Sequence, residues 1–259
     1  MDAYIFDAVR TPRGRGKKDG SLHTVQAPEL AATVLRALRE RNPIGTDGPE
    51  DVILGCVTQA WEQSGDIAKS ALMLAGYDDT VSGVTLNRFC GSGLEAVNQA
   101  AAMVMSGQYD LAIAGGVESM SRVQMGMDGP FLLVNPYMVA HFHIVPQGIS
   151  ADLIATKYGY SREQLDSFAV ESHRRAARAW EEGRFARSVI PVRDLNGHVL
   201  LDRDETIRPD TSLEKMAALN PSFEMYGEMG GFDAVAIQRY PEVERLEYRH
   251  HPGNSSGIV

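Results

Sequence analysis

Short apolar runs alternate with helix-like segments along the first half of the chain, and this alternation constrains the fold more than any other feature. Strands are predicted over 4–9, 51–57, 81–86 and 111–115, and helices over 28–41, 67–75 and 94–105. Gly76 and Gly107 mark the ends of the last two helices. Such alternation favours a mostly parallel sheet covered by helices on both faces. The alanines of 94–105 predict a helix buried against other layers.

The alternation ends near Ser121, and a different organisation follows it. Residues 122–147 are predicted to form a long surface loop, and helices are predicted over 148–158 and 162–182, the second with a capping box at Ser161. Asn196 and Gly197 predict the turn of a hairpin, and residues 205–250 are rich in loops. We therefore expect an α/β domain over 1–119, a mostly helical loop domain over 120–250 and a return segment over 251–259.

Composition excludes several classes of protein. A net charge of −9 argues against a nucleic-acid partner, and no apolar run approaches the roughly 18 residues of a membrane span. The first residues lack the basic and apolar regions of a signal peptide. Two cysteines are too few for a disulfide framework. These features together predict a cytoplasmic protein with no membrane span.

Cys90 is the candidate nucleophile. It lies between an apolar strand and a helix, in the segment Asn-Arg-Phe-Cys-Gly-Ser-Gly of residues 87–93. The glycines permit a sharp turn, and the free N–H groups at a helix start favour a thiolate or an oxyanion. A buried structural cysteine is the alternative interpretation. Cys56, inside an apolar strand, is predicted to pack in the core.

Several segments together resemble the thiolases, and the resemblance covers essentially the whole chain. They are residues 7–12, 52–59, 87–93, 114–121, 158–166 and 253–257. The resemblance implies a layered α/β/α/β/α fold, of which this chain would hold the first βαβ-rich half with the loop domain inserted. It also implies that Cys90 attacks a 3-ketoacyl-CoA, that acetyl-CoA leaves, and that the acyl group passes to CoA. The reverse reaction condenses two acyl-CoA molecules.

The resemblance further implies where coenzyme A binds, as a substrate rather than a permanent cofactor. Ser256 matches a serine that contacts CoA, and Pro146 and Gln147 fall where the family's loop lines the pantetheine channel. The backbone N–H of Cys90 would form part of an oxyanion hole. Asn220 stands where a basic residue reaching the CoA nucleotide is expected, so this contact departs from the family pattern.

The segment 223–249 is longer than the corresponding segment of short biosynthetic thiolases. It resembles that of the subgroup paired with multifunctional β-oxidation proteins. The resemblance implies a homodimer or tetramer, pairing through the strand at 81–86, and a multifunctional β-oxidation protein as a further partner.

The motifs of the family's second half, Asn-Glu-Ala-Phe, Gly-His-Pro and Cys-x-Gly-Gly-Gly, do not occur among the 259 residues. We therefore expect the C-terminal half to be absent from this chain. These residues alone would then not sustain full turnover, because Cys90 would lack its base and its partner acid. The alternative is a truncated, non-catalytic CoA-binding or subunit-interaction module.

Two other groups of residues remain. The histidines at 141, 143, 250 and 251 lack the spacing of metal ligands and are predicted to be exposed to solvent, so no metal site is expected. A basic cluster is formed by Arg10, Arg13, Arg15, Lys17 and Lys18. It is either a solvated loop or a surface that attracts anionic CoA or a partner protein.

Overall fold

The computed structural model describes residues 2–129 and 131–255, and the chain divides into two compact units. The first unit comprises Met1–Gly129 and Phe185–Thr206, and the second comprises Pro130–Arg184 and Ile207–Val259. The hairpin segment therefore groups with the first unit, although the sequence assigned it to the loop domain.

The first unit contains the alternating strands and helices. Its elements are α1 (Ala27–Arg41), β1 (Asp51–Gly55), a 3-10 helix (Trp61–Gln63), α2 (Ile67–Ala75), β2 (Ser82–Leu86), α3 (Ser92–Ser106), β3 (Ala112–Gly116), β4 (Val192–Arg193) and β5 (Val199–Leu201). The predicted helices are confirmed within two residues at each end, as is the antiparallel hairpin of β4 and β5.

The three longer strands form a parallel sheet in the order β2-β1-β3. Successive side chains of β1 point to opposite faces of the sheet. Val52 and Leu54 pack with α1 and α2 in one core, and Ile53 packs with Ala96 and Ala100 of α3 in another. The predicted α/β sheet with helices on both faces is therefore confirmed, and β1 is buried along its whole length.

The strand predicted at 4–9 is wrong. These residues have no regular secondary structure, and the side chains of Tyr4, Ile5 and Phe6 are more than 80% exposed. Arg10 alone forms an isolated bridge, with Val189. A strand-like pattern needs a neighbouring strand to form a ladder, and none lies beside 4–9 among the described residues.

The prediction that α3 is buried against other layers holds for one of its faces and is wrong for the other. Ser92, Ala96 and Ala100 face the sheet, whereas Leu94 is 68% exposed and Met105 is 54% exposed. Small side chains lie on both sides of this helix, so its composition does not distinguish the packed stripe from the open one.

The second unit is mostly helical. Its helices are α4 (Phe131–Val134), α5 (Pro136–Phe142), α6 (Gln147–Tyr158), α7 (Arg162–Glu181), α8 (Leu213–Ala217), α9 (Glu224–Glu228) and α10 (Phe232–Ile237). Ile149 and Leu153 of α6 form its core with Ala236, Val243 and Leu246. The predicted capping box of α7 is present between Ser161 and Gln164.

The surface loop predicted at 122–147 is wrong where α4 and α5 lie. The side chain of Asn135 caps α5 by accepting from the N–H of Met138 at 3.1 Å, and Pro136 begins the helix. Asn-Pro is common in loops, but it also suits a helix start. No helix in the ranges that the structure describes is long and apolar enough to cross a membrane.

Candidate active site

Cys90 lies in the turn that joins β2 to α3, as predicted. Gly91 is the N-cap of α3, and the Cys90 side chain is exposed. Because β2 belongs to a parallel sheet, the turn stands at the carboxyl edge of that sheet, where α/β proteins commonly bind ligands. Cys90 is followed within two residues by the first turn of α3, whose N–H groups have no partner within the helix.

The turn holds Phe89 in an unusual backbone conformation. Its φ is +49°, in the left-handed region that costs a non-glycine residue about 1 kcal/mol or more. Asn87 accepts from the Phe89 N–H through its side chain at 2.8 Å. Ser92 Oγ donates to the Phe89 carbonyl at 2.6 Å and accepts from the Arg88 N–H at 2.8 Å. These side-chain bonds fix the residue that precedes the thiol.

Glycines let α3 approach the sheet closely. A Cβ on Gly55 of β1 would stand 2.5 Å from the Ser92 carbonyl carbon and 2.7 Å from the Gly93 nitrogen. A Cβ on Gly116 of β3 would stand 3.6 Å from the Gly93 Cα of α3. The start of α3 therefore rests directly on the ends of two strands, which sets the height of Cys90 above the sheet.

Cys56 contrasts with Cys90. It is 1% exposed, and burial, with a smaller effect of the Glu118 and Asp128 charges, raises the pKa of its thiol to about 12. The prediction that Cys56 packs in the core is therefore confirmed. Such a thiol stays protonated at neutral pH and is a poor nucleophile.

The predicted CoA contacts that can be described belong to the second unit, and Cys90 belongs to the first. Pro146 is the N-cap of α6, and its carbonyl accepts from the N–H groups of Ile149 and Ser150. Gln147 begins α6 with an exposed side chain, and Asn220 is exposed beyond α8. Ser256 lies outside the described residues.

The sequence was compared with models of protein families and with curated proteins. Residues 3–238 match the family model described as thiolase, N-terminal domain. The chain belongs to the thiolase family. The strand-turn-helix that holds Cys90 lies within the matched residues.

Three curated thiolases illustrate the similarity. A beta-ketoadipyl-CoA thiolase from Pseudomonas aeruginosa is 44% identical over 239 residues, which cover 85% of this chain and 59% of the relative. A 3-ketoacyl-CoA thiolase from a Shewanella species is 44% identical over 228 residues, covering 86% and 58%. One from Acinetobacter baumannii is 42% identical over 233 residues, covering 87% and 58%. The chain thus spans 58–59% of the length of these thiolases, and equal identity to two differently named groups does not choose between them.

Sequence reasoning missed a polar network beneath the Cys90 turn of this thiolase chain. Gln63 is fully buried, donates to the Thr58 carbonyl at 2.8 Å and accepts from the Ser119 N–H at 2.7 Å. It also donates to Glu118, which accepts from the Val57 N–H. The Val57 carbonyl in turn accepts from Asn87 at 3.0 Å. No spacing rule connects Gln63 with Glu118, so no signal in the sequence could have found this network.

The prediction of exposed histidines is wrong at 250 and 251. His250 is buried and its Nδ1 lies 2.6 Å from Oδ1 of Asp152 on α6. His251 is 0% exposed and its Nε2 lies 2.7 Å from Oδ1 of Asp166 on α7. Burial is possible because each imidazole has a carboxylate partner far away in the sequence.

In the described part of the chain, no three His, Cys, Asp or Glu side chains are grouped so that they could hold a metal ion.

The basic cluster of this thiolase is partly neutralised. Arg10 forms a bidentate pair with Asp204, at 2.7 and 2.9 Å, and Asp204 also accepts from the Arg13 N–H. Arg15 lies 3.4 Å from Glu205. These pairings within the first unit favour a structural role over the attraction of an anionic ligand.

Proposed function

We propose that this chain supplies the nucleophile of an acyl-CoA C-acyltransferase, with Cys90 carrying the acyl group. The observation that carries the proposal is the exposed Cys90 thiol on a fixed turn at the start of α3, within a matched thiolase domain. The relatives are named for 3-ketoacyl-CoA and for β-ketoadipyl-CoA, both acyl-CoA thioesters.

The chemistry proceeds through an acyl-enzyme. The Cys90 thiolate attacks the 3-keto carbon, and N–H groups at the turn stabilise the resulting oxyanion. The bond between carbons 2 and 3 then breaks, and the acetyl-CoA enolate leaves and takes up a proton. A second CoA loses its thiol proton and attacks the Cys90 thioester as a thiolate. A shortened acyl-CoA departs, the Cys90 thiolate is restored, and the released proton balances the one that the enolate takes up. Run in reverse, the same steps form a carbon–carbon bond.

We assign the CoA contacts to Pro146, Gln147, Asn220 and Ser256. An exposed Gln147 at a helix start and an exposed Asn220 support this assignment. Pro221, next to Asn220, lines a cavity of about 400 Å³ with Glu224, Arg245 and Tyr248. That opening is large enough for part of a nucleotide.

We also propose that the protein forms a homodimer or tetramer in which subunits pair through β2. A multifunctional β-oxidation protein would be a further partner. β2 stands at one side of the sheet order, and Val84 is 42% exposed there. Two free thiols, Cys56 and Cys90, support a cytoplasmic location.

The test uses the full-length protein and its intact mass after incubation with an acyl-CoA. The wild type and a Cys56→Ala control should each gain one acyl group, whereas Cys90→Ala should gain none and lose thiolysis. Normal thiolysis by Cys90→Ala would overturn the role of Cys90. Binding of CoA in a calorimeter without acylation of the wild type would favour the non-catalytic alternative.

A further inference from the structure

Hydrogen bonds connect the segments that follow the three parallel strands. Residues 57–58 follow β1, Asn87 follows β2 and Glu118 follows β3, and the parallel pairing brings these segments to the same edge of the sheet. Glu118 Oε2 accepts from the Val57 N–H at 2.8 Å, and its Oε1 accepts from the Thr58 N–H at 3.3 Å. One carboxylate thus holds the segment that leaves β1.

We infer that Glu118 is a positioning residue for the Cys90 thiol, an inference that rests on the proposed function. It acts through two intermediates, the backbone of Val57 and the side chain of Asn87. Val57 donates its N–H to Glu118, and its carbonyl accepts from Asn87 Nδ2 at 3.0 Å. The carboxylate therefore fixes the carbonyl to which Asn87 is bound.

The peptide group between Val57 and Thr58 connects the carboxylate to Asn87. Its N–H donates to Glu118 and its carbonyl accepts from Asn87. Because a trans peptide group is planar, these two hydrogen bonds lie on opposite sides of one rigid unit. A hydrogen bond on one side of such a unit also polarises it and strengthens the bond on the other side. Glu118 thus sets both the orientation and the strength of the contact that Asn87 makes.

Asn87 passes this alignment on to the nucleophile. Both ends of its amide are used, because Nδ2 donates to Val57 and Oδ1 accepts from the Phe89 N–H at 2.8 Å. The φ of Phe89 is +49°, so without this bond the residue would tend to relax towards the ordinary regions of backbone conformation. Phe89 directly precedes Cys90, so such a relaxation would move the thiol relative to the first turn of α3.

Gln63 keeps the Glu118 carboxylate in place. Gln63 is fully buried, donates from Nε2 to Glu118 Oε1 at 2.6 Å and accepts from the Ser119 N–H at 2.7 Å. Both oxygens of Glu118 therefore face N–H groups. A glutamine in place of Glu118 would have to turn its own NH2 group towards one of these donors, so it cannot reproduce the arrangement.

Glu50 is a matched control at the opposite edge of the same sheet. It directly precedes β1, its side chain is exposed like that of Glu118, and its Oε2 accepts from the N–H groups of Asp110 and Leu111 at 2.9 and 3.0 Å. Removing either carboxylate leaves two backbone N–H groups without their acceptor, so both variants report the general cost of such a loss. Only Glu118 is connected to the turn that holds Cys90.

The experiment measures how fast saturating acetyl-CoA acetylates Cys90 in the full-length protein, followed by intact mass. We expect Glu118→Ala to slow this step about fivefold, the effect of losing one net hydrogen bond from the alignment of the thiol. The acetyl-CoA concentration at half the maximal rate should stay within about twofold of the wild type, because Glu118 is not assigned to CoA binding. A purely structural loss would lower the fraction of protein that reacts and leave its rate unchanged.

Glu50→Ala and a double-mutant cycle test the specificity and the route of the effect. Glu50→Ala should react within about twofold of the wild-type rate. Asn87→Ala should itself slow acetylation, and adding Glu118→Ala to it should slow the reaction by less than about twofold further, because the connection is already broken. Full multiplication of the two single effects would overturn the route through Asn87 and with it the inference.

The outcomes separate this inference from the proposed function. A wild-type protein that is not acetylated at Cys90 would defeat the proposed function. Acetylation of the wild type, together with a wild-type rate in Glu118→Ala or an equal slowing in Glu50→Ala, would defeat this inference alone.

Glu118→Gln keeps the inference testable if Glu118→Ala does not fold. The glutamine has nearly the size of the native side chain, but it opposes one set of N–H donors with its own NH2 group. We expect it to slow acetylation of Cys90 several-fold at an unchanged half-saturating concentration of acetyl-CoA. A wild-type rate in this variant would overturn the inference.

Discussion

Gly55 lies directly against Ser92: a Cβ added to Gly55 would stand 2.6 Å from the Ser92 Cβ. Gly55→Ala must therefore push the start of α3 away from the sheet. We expect this variant to lose about 1–3 kcal/mol of unfolding free energy, the usual cost of overpacking. The displaced turn should also slow alkylation of Cys90 by iodoacetamide, which peptide mass spectrometry can follow.

Gly115→Ala is the control for that substitution, because Gly115 lies on the neighbouring strand β3. A Cβ there meets only Leu54 Cδ2, at the ordinary contact distance of 3.8 Å. Its unfolding midpoint in urea and its alkylation rate should stay close to those of the wild type. Equal effects at both positions would show that the close approach at Gly55 has no special importance.

The two thiols should differ sharply towards alkylating agents. Cys90 is exposed, whereas Cys56 is buried with a pKa of about 12. At neutral to mildly alkaline pH the folded protein should be labelled at Cys90 alone, and both cysteines should be labelled in denaturant. Labelling of Cys56 at a comparable rate in the folded protein would contradict its burial.

His173 should make stability depend on pH. Burial and the nearby Arg208 charge lower the pKa of His173 below its ordinary 6.5, and its Nδ1 accepts from the Arg208 N–H at 3.0 Å. The unfolded chain therefore binds this proton more readily than the folded one. Its contribution to stability is complete above pH 6.5 and declines as the pH falls from 6.5 towards the folded pKa.

The measurement is urea unfolding of the wild type and His173→Gln between about pH 7 and about pH 5. The glutamine can still accept from Arg208 but does not titrate, so this variant should show a flatter dependence than the wild type. Parallel curves for the two proteins would mean that His173 is not the source of the dependence.

Gln63 should matter for stability far more than its exposed neighbour Gln59. Gln63→Leu leaves the Ser119 N–H and the Thr58 carbonyl without their partner, which costs about 1–3 kcal/mol. Gln59→Leu removes one 3.2 Å bond to the Cys56 carbonyl at the surface and should cost less than about 0.5 kcal/mol. Chemical denaturation of both variants compares these costs, and equal losses would contradict the network.

Local signals made part of the fold predictable. The end of α2 is predictable from Gly76, which adopts the left-handed conformation there. The structure adds that the Asp66 side chain caps the start of this helix. The setting of Cys90 was predictable because the strand, the glycines and the helix are adjacent in sequence. The CoA contacts, Pro146, Gln147, Asn220 and Ser256, stay predictions.

Long-range pairing explains what could not be predicted. Burial of His251 depends on Asp166, which lies 85 residues earlier in the chain. The aromatic and β-branched residues at 4–9 predict a strand, but a strand also needs a neighbour. Periodicity describes what a segment can form, and only the assembled chain decides which partner it meets.

The short parallel sheet has a consequence for how this polypeptide behaves at high concentration. Among the described strands, β2 and β3 each pair with β1 alone, so each presents an outer row of backbone donors and acceptors. Open edges of this kind recruit strands from other molecules and seed aggregation. The proposed pairing of two copies through β2 would cover one of these edges, so Val84→Lys should shift the protein towards the monomer, which light scattering of concentrated samples would report as a lower mass.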